Sequence, residues 1–222
     1  MPQSKTPHSP HEVTFLLDKV NNWLEQHLRA CGKFISNSKY SFKISHDPEE
    51  VADQDIVFIL GYTKILSTDF LKKNRLNVVS HESDLPLGKG FAPVQWQILE
   101  GKKEIPICLI EASNPVDSGD VLFRSSFTLT GYELYDEIRL RQATETFQVI
   151  SDFLGAYPNI TRQKQIGRDS FYPKRSRKDG ELNIDKSLRE QFNLLRIGNN
   201  NEWPSHFCID GHKYFLKIFS SE

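Results

Sequence analysis

Apolar strand runs alternate with helix-patterned segments over most of this chain. One run, 55–60 (DIVFIL), is apolar at every position from Ile56 onward. A continuously apolar strand needs cover on both sheet faces, and strand–helix alternation marks a mainly parallel sheet. These observations predict an α/β fold: a mainly parallel, Rossmann-like sheet with helices on both faces, followed by a short C-terminal helix and a β-hairpin.

Residues 12–17 (EVTFLL) read as the first strand, and Trp23, Leu24 and Leu28 give helical spacing over about 18–31. Residues 40–45 alternate as a second strand. The string His46-Asp-Pro-Glu-Glu50 predicts a helix start with acids at its positive end. After strand 55–60 come helix 66–73, strand 76–80, helix 91–100, strands 105–111 and 121–127, and a long helix near 131–154. Asp136, Glu137, Arg139 and Arg141 are expected on its wet side, and Trp96, in register with Val94 and Leu99, in the core. Residues 155–180 change character. Pro158, Gly167, Pro173 and Gly180 punctuate a stretch holding seven basic residues and two acids. A helix over 185–196 and two strands within 205–218 follow, the strands joined by Asp210-Gly211, a strong hairpin signal.

At 222 residues the chain suits one domain with a short appendage. Its 38% hydrophobic and 26% charged composition is ordinary for a globular protein. A net charge of −1 gives no global field toward nucleic acid or membrane, which disfavours a tRNA substrate. Cys31, Cys108 and Cys208 are odd in number, far apart and without metal spacing, so they read as buried free thiols of a reducing cytoplasm and imply no metal. The N-terminal MPQSKTPHSPHE has no apolar signal core and reads as a frayed leader.

Residues 76–124 concentrate the candidate chemistry. His81 stands where the apolar strand around Val78-Val79 runs out; a loop with Gly88-Lys89-Gly90 follows, and thirty-six residues after the histidine Asp117-Ser118-Gly119 forms a tight turn. A histidine at a strand end with an aspartate at a loop tip is one way to pair a general base with the carboxylate that orients it. Ser83 reads as a cap or turn anchor rather than a nucleophile. Lys174 and Arg175 beside Phe171 and Tyr172 combine cations with aromatic rings, a pairing that suits a nucleotide base and diphosphate.

The string His81-x-Ser83-x-Leu85-Pro86, the glycine-bearing loop and the distant Asp117-x-Gly119 resemble the core of the tetrahydrofolate-dependent formyltransferases, a group that includes methionyl-tRNA formyltransferase and the nucleotide-sugar N-formyltransferases. Phe171–Gly180, Asn193–Arg196 and Pro204–Phe207 resemble the tail of the UDP-4-amino-sugar branch, so the likeness covers roughly residues 50–218. It implies a catalytic domain over 1–155 and a C-terminal extension over 156–222. It further implies formyl transfer from N10-formyltetrahydrofolate to a nucleotide-linked, UDP-type amino sugar, as in surface polysaccharide biosynthesis, with His81 and Asp117 catalytic. The pterin would lie along Leu60, Gly61, Tyr62, Lys64, Ile65 and Leu66 and along Asn114, Pro115 and Val116. Ser83, Lys89, Gly90, Phe171, Tyr172, Lys174 and Arg175 would meet the acceptor. The exposed aromatic residues of the terminal hairpin suit packing in a homodimer.

One position departs from the family pattern. Its catalytic asparagine stands two residues before the histidine, where this chain has Val79. Asn77 shares that face but lies about 13 Å from His81 along a regular strand, too far to reach the same oxygen. The HESDLP string with valine in that slot resembles the formyltransferases of pseudaminic-acid-type pathways. A formyltetrahydrofolate hydrolase, which would need no basic, aromatic tail, and a catalytically silent folate- or nucleotide-binding protein are the alternatives.

Overall fold

A computed structural model describes residues 10–20, 23–31 and 39–221. Residues 1–9 of the expected leader 1–12 lie outside them, whereas His11 and Glu12 begin the first strand; the side chain of Cys31 also lies outside. The chain divides into two compact units. The first comprises Met1–His81, Cys108–Arg124 and Thr146–Gly167, and the second Glu82–Ile107, Ser125–Glu145 and Arg168–Glu222.

The sheet begins with β1 (His11–Leu17), β2 (Tyr40–Ser45), β3 (Ile56–Leu60) and β4 (Asn77–His81), and is completed by β6 (Glu104–Glu111) and β7 (Val121–Thr128). The strand order is β2-β1-β3-β4-β6-β7. Strands β2, β1, β3 and β4 are parallel, whereas β4 and β6 run antiparallel with His81 opposite Cys108. All five residues of β3 are buried, which explains its unbroken apolar run. The chain leaves β1 toward β2 and returns to the opposite side at β3, so the order reverses between β1 and β3. In open sheets of this kind ligands bind beyond the strand carboxyl ends at such a reversal. Leu16, Val51, Val57, Ile59 and Phe70 form one core cluster of this unit, joined by Tyr62, Leu66 and Val79.

Helices α1 (Trp23–Cys31), α2 (Thr68–Lys72), α3 (Pro93–Leu99) and α4 (Tyr135–Ala156) fall where the periodicity puts them. The Ser67 hydroxyl caps α2 by accepting from Phe70 N–H at 3.1 Å. Along α4, Asp136, Glu137 and Arg141 are exposed and Arg139 is half-buried. Its C-terminal half packs on the sheet: Phe153 meets Phe58 edge to face at 5.7 Å, and the Tyr40 hydroxyl donates to the Leu154 carbonyl at 2.5 Å.

Three details differ from expectation. The helix start at 46–50 is a single 3-10 turn, Pro48–Glu50, capped by Asp47. The helix expected over 185–196 is confined to α5 (Phe192–Arg196). Upstream of it the Gln191 amide donates to the carbonyls of Asn183, Lys186 and Ser187 while its oxygen accepts from Asn183 N–H. These side-chain bonds compete with helix hydrogen bonding and hold 183–191 in turns. The two-residue strands β5 (Lys89–Gly90) and β8 (Phe171–Tyr172) pair in parallel within the second unit, a link too short to leave a periodic signal. Strands β9 (Ser205–Ile209) and β10 (His212–Leu216) form the expected hairpin.

In the second unit Glu133 ties down the approach to α4. Its carboxylate accepts from Thr130 N–H at 2.7 Å and Gly131 N–H at 3.0 Å, and lies 3.8 Å from the buried Arg196 guanidinium. Burial opposes its ionisation, but the backbone donors prevail and hold the carboxyl at about 2. A folded value below the unfolded one means stability that is complete above the unfolded value and lost as pH falls through the folded one. The contribution at neutral pH is on the order of 3 kcal/mol. Glu133→Gln should therefore lower the urea midpoint clearly at pH 7, and its gap from wild type should close as pH falls from about 4.5 toward about 2; a gap independent of pH would contradict the assignment.

Candidate active site

In the first unit His81 is the last residue of β4, and its ring is buried at 5% exposure. Its Nδ1 lies 3.6 Å from Asp117 Oδ1, and the aspartate is buried to 8%. This is ion-pair range, slightly longer than a hydrogen bond, and catalytic contacts commonly tighten when substrate binds. Asp117 adopts the left-handed backbone region at φ 56. Two residues on, Gly119 is pressed against β6: a Cβ there would lie 1.7 Å from the Glu111 carbonyl oxygen. Only glycine fits, and this close approach brings the turn, and with it Asp117, up to His81.

The two segments assigned to the pterin by resemblance lie together. The loop after β3 reaches Thr68 at the start of α2, whose hydroxyl accepts from the Asn114 amide at 3.0 Å. The buried Asp18, just beyond β1, steadies the same loop by accepting from Thr63 N–H at 3.2 Å and from the Thr63 hydroxyl. Leu60 is wholly buried, and Tyr62 and Leu66 pack on the core cluster. Gly61 and Lys64 are exposed, as are Asn114 and Pro115. Ile65 is 78% and Val116 49% exposed. Two apolar side chains left open on adjoining loops suit the flat face of a pterin, so these residues fit the group the resemblance implies.

Val79, in the asparagine slot, packs against the core cluster and offers no polar group. Asn77 is committed elsewhere: its amide donates to the Leu71 carbonyl at 2.8 Å and its oxygen accepts from Asn74 at 3.4 Å. It anchors the connection between α2 and β4.

The acceptor-binding candidates belong to the second unit. Gly88 and Gly90 both have positive φ, and both make room for Tyr172: a Cβ at Gly88 would lie 2.7 Å from the tyrosine ring, and one at Gly90 2.5 Å from its carbonyl oxygen. The glycines thus have a packing role that their sequence alone did not disclose. The buried Lys89 places its ammonium 3.0 Å from Asp169 and over the Phe171 ring. Ser83 is buried. Trp96, expected in the core, is half-buried; it stacks on Tyr172 and donates to the Pro173 carbonyl at 2.9 Å. Arg175 lies over the Trp96 ring, 5.8 Å from its centre, and donates to the Asp179 carbonyl. Burial pulls its pKa down, with Asp179 opposing, and its Nε has no partner among the described residues. Lys174 is exposed over Phe91, and Phe171 is 67% exposed.

The buried His81–Asp117 pair at the end of a central strand keeps the register that the resemblance to folate-dependent formyl-transfer enzymes implies. The "Formyl transferase" family model matches residues 12–154, and the chain belongs to that family. A curated relative, methionyl-tRNA formyltransferase of Rickettsia massiliae (strain Mtu5), is 26% identical over 170 residues, which is 76% of this chain and 55% of the relative. The chain thus spans about half the length of the curated relatives it matches. Among solved structures, a methionyl-tRNA formyltransferase from Clostridium thermocellum superposes with TM-score 0.80 at 20% identity, covering 96% of this chain and 94% of that one. A sugar N-formyltransferase from Shewanella sp. FDAARGOS_354 gives TM-score 0.65 at 13% identity, covering 96% and 98%. At these identities the two structures establish the shared fold.

Because its amide serves the α2–β4 connection, Asn77→Ala should cost stability, about 1–3 kcal/mol for a buried carbonyl left unpaired, with turnover changed less than threefold. Chemical denaturation and initial rates on one preparation check both halves.

Proposed function

We propose that this protein is an N-formyltransferase that moves the formyl group of N10-formyltetrahydrofolate to the amine of a nucleotide-linked amino-deoxy sugar, most simply a UDP-sugar. The observation that carries the transfer chemistry is the buried His81–Asp117 pair in family register. The basic and aromatic segment from Phe171 to Arg175 supports the acceptor: Phe171 is two-thirds exposed, Lys174 offers an exposed cation, and Arg175 a half-buried guanidinium over Trp96. The folate, held by the loops at 60–66 and 114–117, supplies the formyl group.

His81 accepts the proton that the acceptor nitrogen gives up as it bonds to the formyl carbon, and returns one to the departing nitrogen. Asp117 fixes the ring and stabilises the positive charge it gains between those steps. With Val79 in the asparagine slot, the protonated His81 ring also faces the negative charge developing on the formyl oxygen. No covalent enzyme intermediate is required, so Ser83 need not act as a nucleophile. Tyr214 and Phe215, about half exposed on β10, offer a surface for a second copy of the chain.

One observation favours a second acceptor: the curated relatives are methionyl-tRNA formyltransferases. Against it stands a net charge of −1, which provides little attraction for a phosphate backbone. Assays with N10-formyltetrahydrofolate and either a UDP-amino sugar or methionyl-tRNA decide between them. Formate release with no acceptor would instead mark a hydrolase.

His81→Asn and Asp117→Asn should each lower kcat by at least about two orders of magnitude, the scale of losing a general base or its orienting group. Near-normal turnover in both would remove the pair from the chemistry.

Lys174→Ala should raise KM for the UDP-sugar about 10- to 100-fold and leave the folate KM unchanged. Arg175→Ala should do the same with an added loss of stability, because its guanidinium also packs against Trp96. Bisubstrate kinetics provide the measurement, and unchanged constants for both substrates would take the segment out of the site.

A further inference from the structure

The turn that presents Asp117 is strapped by the segment 162–165, all within the first unit. Arg162 Nε donates to the Glu111 carboxylate at 2.7 Å. Gln163 and Val121 exchange backbone hydrogen bonds of 2.9 and 2.7 Å. Gln165 then turns its side chain onto the turn itself: Nε2 donates to the Asp117 carbonyl at 2.9 Å and to the Gly119 carbonyl at 2.8 Å. One amide group therefore holds two peptide planes of the turn, 117–118 and 119–120.

Gln165 does this at a local disadvantage. Its Oε1 is buried and has no hydrogen-bond partner among the described residues. A buried acceptor left unmatched is unfavourable, and such groups concentrate where function requires them. The fold has other holds on the turn. Gly119 is wedged under the Glu111 carbonyl, and the Val121–Gln163 pairing closes the strand beyond. What those contacts leave open is the rotation of the left-handed residue that carries the carboxylate, and Gln165 binds that residue's own carbonyl together with the carbonyl two residues on.

We propose that Gln165 is a positioning residue that aims the Asp117 carboxylate at His81 Nδ1 by fixing the carbonyls of residues 117 and 119. The catalytic consequence rests on the formyl-transfer reading above; the geometric one does not. A misplacement of about 1 Å in a reacting group can cost on the order of 100-fold in rate.

Gln165→Leu keeps the bulk and removes the donor. Kinetics, thermal unfolding and 15N NMR of the His81 ring should be recorded beside wild type and Asp117→Asn. The expected result is a kcat lower by about 10- to 100-fold, both KM values within about threefold, a melting temperature lowered modestly because two carbonyls lose their donor, and His81 ring signals moved toward those of Asp117→Asn. Adding Gln165→Leu to Asp117→Asn should lower the rate no further, since the carboxylate it aims is already gone. A merely structural role would give a lower melting temperature with wild-type kcat and wild-type His81 signals, and would overturn the proposal. Failure of both Gln165→Leu and Gln165→Met to fold would overturn it too, because the turn is argued to stand without the clamp. Should wild type transfer formyl to neither acceptor, the formyl-transfer reading falls, and the His81 signals still decide whether Gln165 aims Asp117.

Discussion

The candidate site depends on a single steric fact: residue 119 has no side chain. With the Glu111 carbonyl 1.7 Å from where a Cβ would stand, the loop after β6 can lie flat on its own strand only as glycine. That contact shortens the path from β6 to β7 and leaves Asp117 in a left-handed turn, 3.6 Å from a histidine on the neighbouring strand. The antiparallel pairing of β4 with β6 completes the arrangement, since it puts His81 opposite Cys108 and fixes how far the loop must reach. The side chains proposed for catalysis are thus carried by a strand end and by a turn anchored to that strand's partner, both rigid supports.

Around that contact the first unit spends its polar groups on holding loops still. Asp18 beyond β1 takes both donors of Thr63, Asn114 reaches Thr68, and Asn77 secures the chain between α2 and β4. The replacement of the family asparagine by Val79 fits this pattern. That position faces the core cluster, and the neighbouring asparagine is already engaged in holding backbone. The chemistry proposed for the site therefore falls on the imidazole and the carboxylate that orients it.

Much of the fold was legible because its signals are local. The unbroken apolar run of β3 announced a doubly covered strand, and Asp210-Gly211 announced the hairpin between β9 and β10. The spacing of His81 and Asp117 was legible as a register, and the structure brings the two together. What could not be read depends on partners distant in sequence. Strands of two residues have no period, so the pairing of Lys89-Gly90 with Phe171-Tyr172 left only two glycines as a trace. Gln165 is one polar residue in a basic stretch, and nothing short of coordinates sets its amide on two carbonyls of a turn 46 and 48 residues away. The helix over 185–196 was drawn too long because Gln191 satisfies the upstream carbonyls with its own side chain.

The docking of Tyr172 against Gly88 and Gly90 bears on how such a protein can diversify. The matched family region ends at residue 154, within α4 and well before Tyr172. Yet residues 82–107 and 168–222 belong to one compact unit, with Gly88 shaped to the Tyr172 ring and Gly90 to its carbonyl. Exchanging the tail for an unrelated one would strip Lys89 of Asp169 and leave a groove where Tyr172 had been. The glycine-facing side of Tyr172 thus couples two segments some eighty residues apart, whereas the exposed side of Phe171–Arg175 can vary without breaking that coupling.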